Sequence, residues 1–303
     1  MNTGHISKSC SGRCGAEVEG FLIVDKPKGW TSHDVVAWVR RTLKVRRVGH
    51  TGTLDPLATG VLVLALGQAT KFISFLDEAE KEYMVTLRLG ASTDTDDAEG
   101  KIIAQKGVPE GLSREKFVEV CRAFTGEVMQ RPPLFSAIHY RGRRLYELAR
   151  KGKQVEVPPK RVFIYSLEVL DFDLPYVQLR VKCSKGTYMR SLVRDIGEVL
   201  ECGAYVEALR RTRSGPFREE QALSLRKVEE MASERRLPLI PVGEALGLPK
   251  LELSGEDVQR FLHGGRVLYT ATGRTAVYSE DGTFLGVGMG EGGYIRPLRV
   301  MSL

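Results

Sequence analysis

Arg47-Val48-Gly49-His50-Thr51-Gly52-Thr53-Leu54-Asp55-Pro56-Leu57-Ala58-Thr59-Gly60, running straight into Val61-Leu62-Val63-Leu64-Ala65-Leu66, is the stretch on which the fold of this chain turns. Its first fourteen residues carry one carboxylate, one histidine and three glycines, and the next six are apolar without a break. An acid on a Gly/Thr/Pro-rich loop, braced by a buried strand, is how a fold holds a reactive group rigidly at its surface. Glycine allows backbone angles and close approaches that other residues forbid. Pro56 fixes its own φ and biases Asp55 towards extended backbone. The same residue types also suit an ordinary turn, in which an Asp bonds its own backbone. The surroundings have to decide between the two.

The chain has 303 residues, enough for one large domain or two. Hydrophobic residues make up 42% and charged residues 27%, as in ordinary soluble globular proteins. No apolar run approaches the roughly 18 residues that a spanning helix needs. Residues 1–20 lack the apolar centre of a secretory signal, and residues 1–19 read as a flexible tail. A cytoplasmic protein without membrane contact is expected. The five cysteines (Cys10, Cys14, Cys121, Cys183, Cys202) are odd in number and scattered, which argues against a disulfide framework and fits a reducing compartment. Cys10 and Cys14 lack a second Cys/His pair at metal-binding spacing, so no metal is expected. Cys121 and Cys183 fall on apolar faces and read as small hydrophobes.

Net charge is +7, and it is unevenly spread. Residues 40–47 hold five basic side chains and no acid; residues 139–161 hold eight Lys/Arg against two Glu; residues 205–218 hold four Arg against Glu207. The last 57 residues balance at six and six. One such cluster is usually a solvated face. Three of them flanking the conspicuous motifs point to a nucleic-acid groove.

Working outward, residues 20–24 read as a buried strand, and Thr31 or Ser32 caps a helix carrying Val35, Val36, Val39 and Leu43 on one stripe. A short helix is expected around residues 69–76, and Tyr83, Val85, Leu87 and Leu89 alternate as in a strand. Residues 94–100 are acidic and turn-like. The glycine and closing glutamate of a calcium loop are not at the required spacing, so a solvated loop is expected. Ser113 caps a helix with Phe117, Val120, Cys121 and Phe124 on one face. Residues 130–160 are basic, proline-bounded and studded with Phe135, His139, Tyr140 and Tyr146. They read as an excursion with a short helix near residues 145–150, its arginines and aromatics suited to unstacked RNA bases. Strands follow at 162–169, 177–183 and 205–211, with a helix at 188–200. Period-two strands separated by helices predict an α+β fold with a mixed, mostly antiparallel sheet flanked by helices. Residues 241–249 read as a linker. A β-rich module of about 55 residues follows, small enough that docking on the first domain is expected.

Several pieces now stand in order: Asp25-Lys26-Pro27-Lys28-Gly29-Trp30-Thr31-Ser32, the Asp55 loop, Lys81-Glu82-Tyr83, Lys185-Gly186-Thr187-Tyr188-Met189-Arg190-Ser191-Leu192, and Leu209-Arg210-Arg211-Thr212. In this order and spacing the chain resembles the tRNA pseudouridine synthase B (TruB) family, which isomerises the T-loop uridine of tRNA, position 55. The resemblance spans residues 20 to about 215, with a C-terminal part that looks like a PUA domain. It implies a pseudouridine synthase catalytic domain at 20–246, with a basic RNA-gripping insertion at 130–160. It also implies a PUA-like RNA-binding domain at 247–303. Asp55 matches the catalytic aspartate of the family's Gly-x-Leu-Asp-Pro motif. Arg190 matches the arginine paired with that aspartate, and Tyr83 the tyrosine stacked on the flipped uracil. Tyr188 and Leu209 match pocket-lining residues, and His50 the histidine that contacts RNA around the target. Lys26 and Pro27 match a motif packed behind the site. Arg141, Arg143, Arg144, Arg150 and Lys151 of the insertion are expected to bind RNA. The resemblance implies no cofactor, a tRNA T-arm stem-loop as partner, no obligate protein partner, and a monomer. One departure stands out: the family's Tyr and Lys are replaced by Phe135 and His139, which alters the RNA contacts of the insertion.

The chemistry explains these residue types. Pseudouridine forms when the bond from ribose C1′ to uracil N1 breaks and the base rejoins through C5. The base must stay caught while detached, so the pocket should be closed and water-poor. A carboxylate can attack C1′ or C6. A guanidinium keeps such a carboxylate charged and aimed. The target lies in folded RNA and must be flipped out, and an aromatic ring replaces its lost stacking, worth roughly 1–3 kcal/mol per base. Three other readings compete. A non-catalytic RNA-folding protein needs the basic groove but not Asp55. A guide-RNA-dependent pseudouridine synthase subunit would work inside a particle, and the basic insertion argues against it. A two-carboxylate glycosidase would need an arrangement that Glu82 and Asp195 do not offer.

Overall fold

The computed structural model describes residues 18–76, 80–136, 139–140, 143–144 and 157–302. Of the expected tail only residues 18 and 19 are among them, and Cys10, Cys14 and the expected helix near 145–150 lie outside the described residues.

The apolar run forms the strand Thr59–Leu66, buried on both faces. Leu62, Leu64 and Leu66 enter one core; Val61, Val63 and Ala65 enter another. A strand without a wet face needs an apolar residue at every position, which is why the run is unbroken. Gly20–Lys26 pairs antiparallel with it along its full length. Its other edge is shared. Val48–Thr51 pairs with the far end, through His50 opposite Leu64 and Thr51 opposite Val63. Ala204–Ser214 pairs with the near end in parallel, through Arg210 opposite Thr59 and Arg211 opposite Gly60. Residues 52–58, which carry Asp55, bridge this fork.

The sheet continues from Ala204–Ser214 to Lys81–Leu89, Tyr176–Cys183, Lys160–Asp173 and Gly126–Gln130, all antiparallel. With Val48–Thr51 and Phe217–Arg218 it has nine strands among the described residues. Helices cover the face that holds Tyr83, Val85 and Leu87, and two of them frame the site. Ser32–Thr42 starts at a Thr31 capping box, where Thr31 Oγ1 accepts from Asp34 N–H and Asp34 accepts from Thr31 N–H (3.1 and 2.8 Å). Met189–Val199 buries Met189, Leu192, Val193 and Ile196. The expected α+β class with a mixed, mostly antiparallel sheet is observed. Cys121 and Cys183 are buried, and burial raises their thiols to about 12 and about 11, so both behave as inert hydrophobes.

The C-terminal module packs on the opposite face of the sheet at Gly20–Lys26 and Thr59–Leu66. Its five strands run in the order Lys250–Leu253, Gly273–Ser279, Phe284–Glu291, Tyr294–Val300 and Val267–Leu268. Val287 of this module shares a core with Phe21, Ile23, Val61 and Val63 of the large sheet. Residues 241–249, read from sequence as a linker, instead include a helix, Val242–Leu246. Val242 and Ala245 are buried in the same shared core, and Ile240 bridges Phe21. The prolines at both ends bound a single packed turn; they do not mark a free segment.

Gly60 allows the parallel junction to close. Its φ is +96°, and a Cβ there would lie 2.2 Å from the Arg211 carbonyl oxygen. Gly60→Ala should therefore cost about 3 kcal/mol or more of unfolding free energy, measured by urea denaturation against wild type. A loss below about 1 kcal/mol would show that the junction can relax.

Candidate active site

The Asp55 loop is clamped from behind. Ser32 Oγ accepts from Leu54 N–H (2.9 Å) and donates to the Leu54 carbonyl (3.3 Å). Gly29 N–H donates to the Pro56 carbonyl at 2.8 Å. Lys26 is 0% exposed, and its ammonium donates to the carbonyls of Pro27, Trp30 and Pro56. Burial pulls its pKa down to about 8. An ammonium that spends its donors on three carbonyls acts as a structural rivet. Lys26 and Pro27 line a recess behind the loop, outside the main cleft.

Arg190 meets Asp55 from the first turn of Met189–Val199. Nε and Nη2 donate to the two carboxylate oxygens at 2.9 and 3.0 Å, a bidentate pair. The Arg190 side chain is 4% exposed and that of Asp55 33%, so the cation is fixed in protein while the acid opens to the cleft. Two further donors of Arg190 reach the carbonyls of Thr95 (3.1 Å) and Phe135 (2.9 Å), and Asp97 lies 3.8 Å from Nε.

Residues 94–100, expected to be a solvated loop, expose Asp94, Ala98 and Glu99 but turn Asp96 and Asp97 towards this helix. Asp97 is buried, and Thr93 Oγ1 donates to its carbonyl at 2.7 Å. Asp96 pairs with Arg194 at 3.2 Å, yet burial raises its carboxyl to about 6. Asp96 faces the half-buried Arg194 and Asp97 the buried Arg190, which draws these two in while Asp94 and Glu99 stay exposed.

A cleft of about 870 Å³ is lined by Asp55, Arg190, Tyr83, Tyr188, Leu209 and His50. Tyr83 comes from Lys81–Leu89 and Leu209 from the neighbouring Ala204–Ser214. Burial raises the phenol of Tyr83, opposed by the Arg211 guanidinium; burial also raises that of Tyr188. Tyr188 is the N-cap of the Arg190 helix. Its backbone is gripped on both sides by the buried Gln130 side chain: Nε2 donates to the Tyr188 carbonyl (2.9 Å) and Oε1 accepts its N–H (2.8 Å). His50 packs edge-on against His33 at the rim, with ring centroids 5.6 Å apart.

The structure thus brings six predicted residues to one cleft and puts Lys26 and Pro27 behind it. Arg143 and Arg144 form a two-residue strand opposite His139 and Tyr140; Arg141, Arg150 and Lys151 lie outside the described residues. Sequence reasoning gives no part to Gln130, Asp97 or Arg211, though all three touch this machinery. Arg211 stands in a quoted motif, and that was the only signal for any of them. Among the described residues no group of His, Cys, Asp and Glu could hold a metal ion, and no helix is long and apolar enough to cross a membrane.

Family models match residues 40–301 with one two-residue gap. The TruB family pseudouridylate synthase N-terminal domain covers residues 40–189, and the tRNA pseudouridylate synthase B C-terminal domain covers residues 190–246. The pseudouridine synthase II TruB C-terminal model covers residues 249–301. The chain belongs to the TruB family of pseudouridylate synthases. As a TruB-family member it is 42% identical over 301 residues to tRNA pseudouridine synthase B of Ralstonia nicotianae, covering 95% of each chain. It is 43% identical over 287 residues to the Caldanaerobacter subterraneus protein of that name, covering 93% of this chain and 99% of the relative. Among solved structures it is similar to a chain of an H/ACA RNP bound to a substrate RNA containing 2′-deoxyuridine. There the TM-score is 0.71 at 28% identity, covering 94% of this chain and 85% of the other.

Asp96 gives this TruB-family site a pH signature. Its carboxyl, raised from 3.8 to about 6, holds a proton more tightly folded than unfolded. The associated stability is present below about pH 4 and is lost as pH rises through about 6. Asp96→Asn should remove this component, so that the melting-temperature difference between variant and wild type shifts in favour of the variant between pH 4 and 6. A difference independent of pH across that window would refute the assignment.

Proposed function

We propose that this chain converts the T-loop uridine of tRNA, position 55, to pseudouridine, with Asp55 as the nucleophile. One observation carries this reading: a carboxylate held bidentate by a buried guanidinium, on the wall of a cleft lined by Tyr83, Tyr188 and Leu209. Relatives named tRNA pseudouridine synthase B, aligned over more than nine-tenths of the chain, support the choice of tRNA.

Each residue then has a task. Asp55 attacks the flipped nucleotide, at C1′ or at C6. Its two oxygens are aimed by Arg190, and the reorganisation cost is met before substrate arrives. Tyr83 stacks on the base and replaces the neighbours it leaves. Tyr188 and Leu209 close an apolar wall that keeps the detached uracil from escaping into water. His50 contacts RNA at the rim. Arg141, Arg143, Arg144, Arg150 and Lys151 supply phosphate contacts from the insertion, and residues 247–303 add a second RNA-binding surface. No cofactor takes part.

The likeness to a chain of an H/ACA particle favours a second reading, a subunit that needs a guide RNA and protein partners. Identity of 42–43% along full length with tRNA pseudouridine synthase B proteins weighs towards an enzyme that acts alone, as a monomer, in the cytoplasm.

The test uses purified chain and a T-arm RNA labelled at C5 of uridine. Wild type should release the label without any other protein or RNA. Asp55→Asn should lose at least about 10⁴-fold in single-turnover rate while still folding and binding RNA, the scale seen when a covalent catalyst is removed. Full turnover by Asp55→Asn would end the proposal.

A further inference from the structure

Tyr188 is the N-cap of the helix that carries Arg190, and its side chain makes no capping hydrogen bond. Three other helices begin differently: Thr31, Ser113 and Ser224 each accept from a backbone N–H of their own first turn. A tyrosine at this place gives up the local cap, and its ring lines the cleft instead. In a capping box the N3 side chain reaches back to the N-cap N–H. Here N3 is Ser191, and its Oγ donates to the Arg131 carbonyl at 2.7 Å. The Tyr188 N–H is met from outside the helix, by Gln130 Oε1 at 2.8 Å, while Gln130 Nε2 donates to the Tyr188 carbonyl at 2.9 Å. Gln130 is 2% exposed and is not among the residues that line the cleft. It ends the strand Gly126–Gln130, opposite Lys160. A little further on, the Phe135 carbonyl takes the same Arg190 Nη2 that holds Asp55 (2.9 Å).

We propose that Gln130 is a positioning residue for the isomerisation. Its amide stands in for the missing cap and holds the Tyr188 backbone, so that the Tyr188 ring stays on the cleft wall and Arg190, two residues on, keeps its fork on Asp55. A primary amide offers an acceptor and a donor together, so one side chain fixes both backbone groups of one residue. Two bonds set rotation as well as position. Neither backbone group can swing free without losing a buried hydrogen bond, which makes the clamp stiff. Ser191 and Arg194 fasten the same helix to the Arg131 carbonyl (2.7 and 3.0 Å), so the helix start and the segment at 130–135 form one body. Gln130 lies outside the cleft and acts on the nucleotide only through Tyr188 and Arg190. The inference rests on the reading of the cleft as a uridine pocket.

Two variants test it in single-turnover label release from C5 at saturating enzyme. RNA affinity and melting temperature are measured beside the rates, from about pH 5.5 to about pH 8. Gln130→Met keeps the length and loses both hydrogen bonds. It should slow conversion about 10- to 100-fold at every pH, the scale of a small misplacement, with RNA affinity changed less than about twofold. Gln130→Glu keeps the acceptor but, when ionised, loses the donor and sets a charge against the Tyr188 carbonyl. Burial raises the introduced carboxyl, so falling pH protonates it and returns an O–H donor beside an acceptor. Its rate relative to wild type should match that of Gln130→Met at about pH 8 and recover to within about threefold of wild type at about pH 5.5. Asp96 titrates in both proteins and drops out of the ratio. A ratio that stays flat across the range would overturn the inference. So would Gln130→Met within about threefold of wild type, or a loss of RNA affinity without a loss of rate. If Gln130→Met fails to fold, the pH series of Gln130→Glu decides. Both variants unfolded at every pH would also overturn the inference, because Gln130 would then serve stability alone. A flat ratio alongside an inactive Asp55→Asn sinks only the Gln130 assignment. An active Asp55→Asn sinks the uridine-pocket reading and this inference with it.

Discussion

The pair between Asp55 and Arg190 is the interaction on which the rest of the molecule depends. A guanidinium at 4% exposure survives only if its donors are met. Asp55 meets two, and the carbonyls of Thr95 and Phe135 meet two more, with Asp97 close by. Four segments distant in sequence must therefore be in place together: the loop at 52–58, the loop at 94–97, the segment at 130–136 and the helix Met189–Val199. The nine-stranded sheet is the frame that brings them to one end. Gln130 ties the third segment to the fourth by gripping the Tyr188 backbone on both sides.

Rigidity of the acid comes from the strand behind it. Thr59–Leu66 is packed on both faces, by the Ser32–Thr42 side and by the C-terminal module. The module's docking therefore stiffens the strand from which the Asp55 loop springs. At the parallel junction, Asp25 accepts from Gly60 N–H (3.1 Å) and from Arg210 (3.0 and 3.1 Å), and Glu219 takes the Nε of Arg210 at 2.7 Å. Lys26, one residue on, rivets the loop's Pro56 carbonyl. Adjacent residues of one short strand thus hold the C-terminal half of the loop and the start of the strand that follows it.

Legibility in the sequence follows the range of the signal. The Asp55 loop and its apolar strand are local patterns, so glycine, proline and unbroken hydrophobicity disclose them. Thr31 and Ser113 are equally local: each caps a helix within the next three residues. Asp96 and Asp97 mislead because their burial depends on Arg194 and Arg190, about a hundred residues on, and no local rule reports such a partner. Gln130 is an unremarkable polar residue until Tyr188 lies beside it, and Arg211 looks like one more cation in a basic cluster until its partners, Val61 and Gly52, are seen. Residues 241–249 mislead differently. Prolines and glycine signal a break in pairing, but Val242 and Ala245 have a core to enter only once the C-terminal module has folded back.

The most direct measurement of this account is the single-turnover rate of Arg190→Lys on T-arm RNA, with RNA affinity and melting temperature taken beside it. Lysine keeps the charge but offers no second parallel donor for Asp55 and no branch for the Thr95 and Phe135 carbonyls. If Arg190 aims the nucleophile, the rate should fall about 100- to 1,000-fold at unchanged RNA affinity. A rate within about threefold of wild type, in a folded variant, would contradict the account.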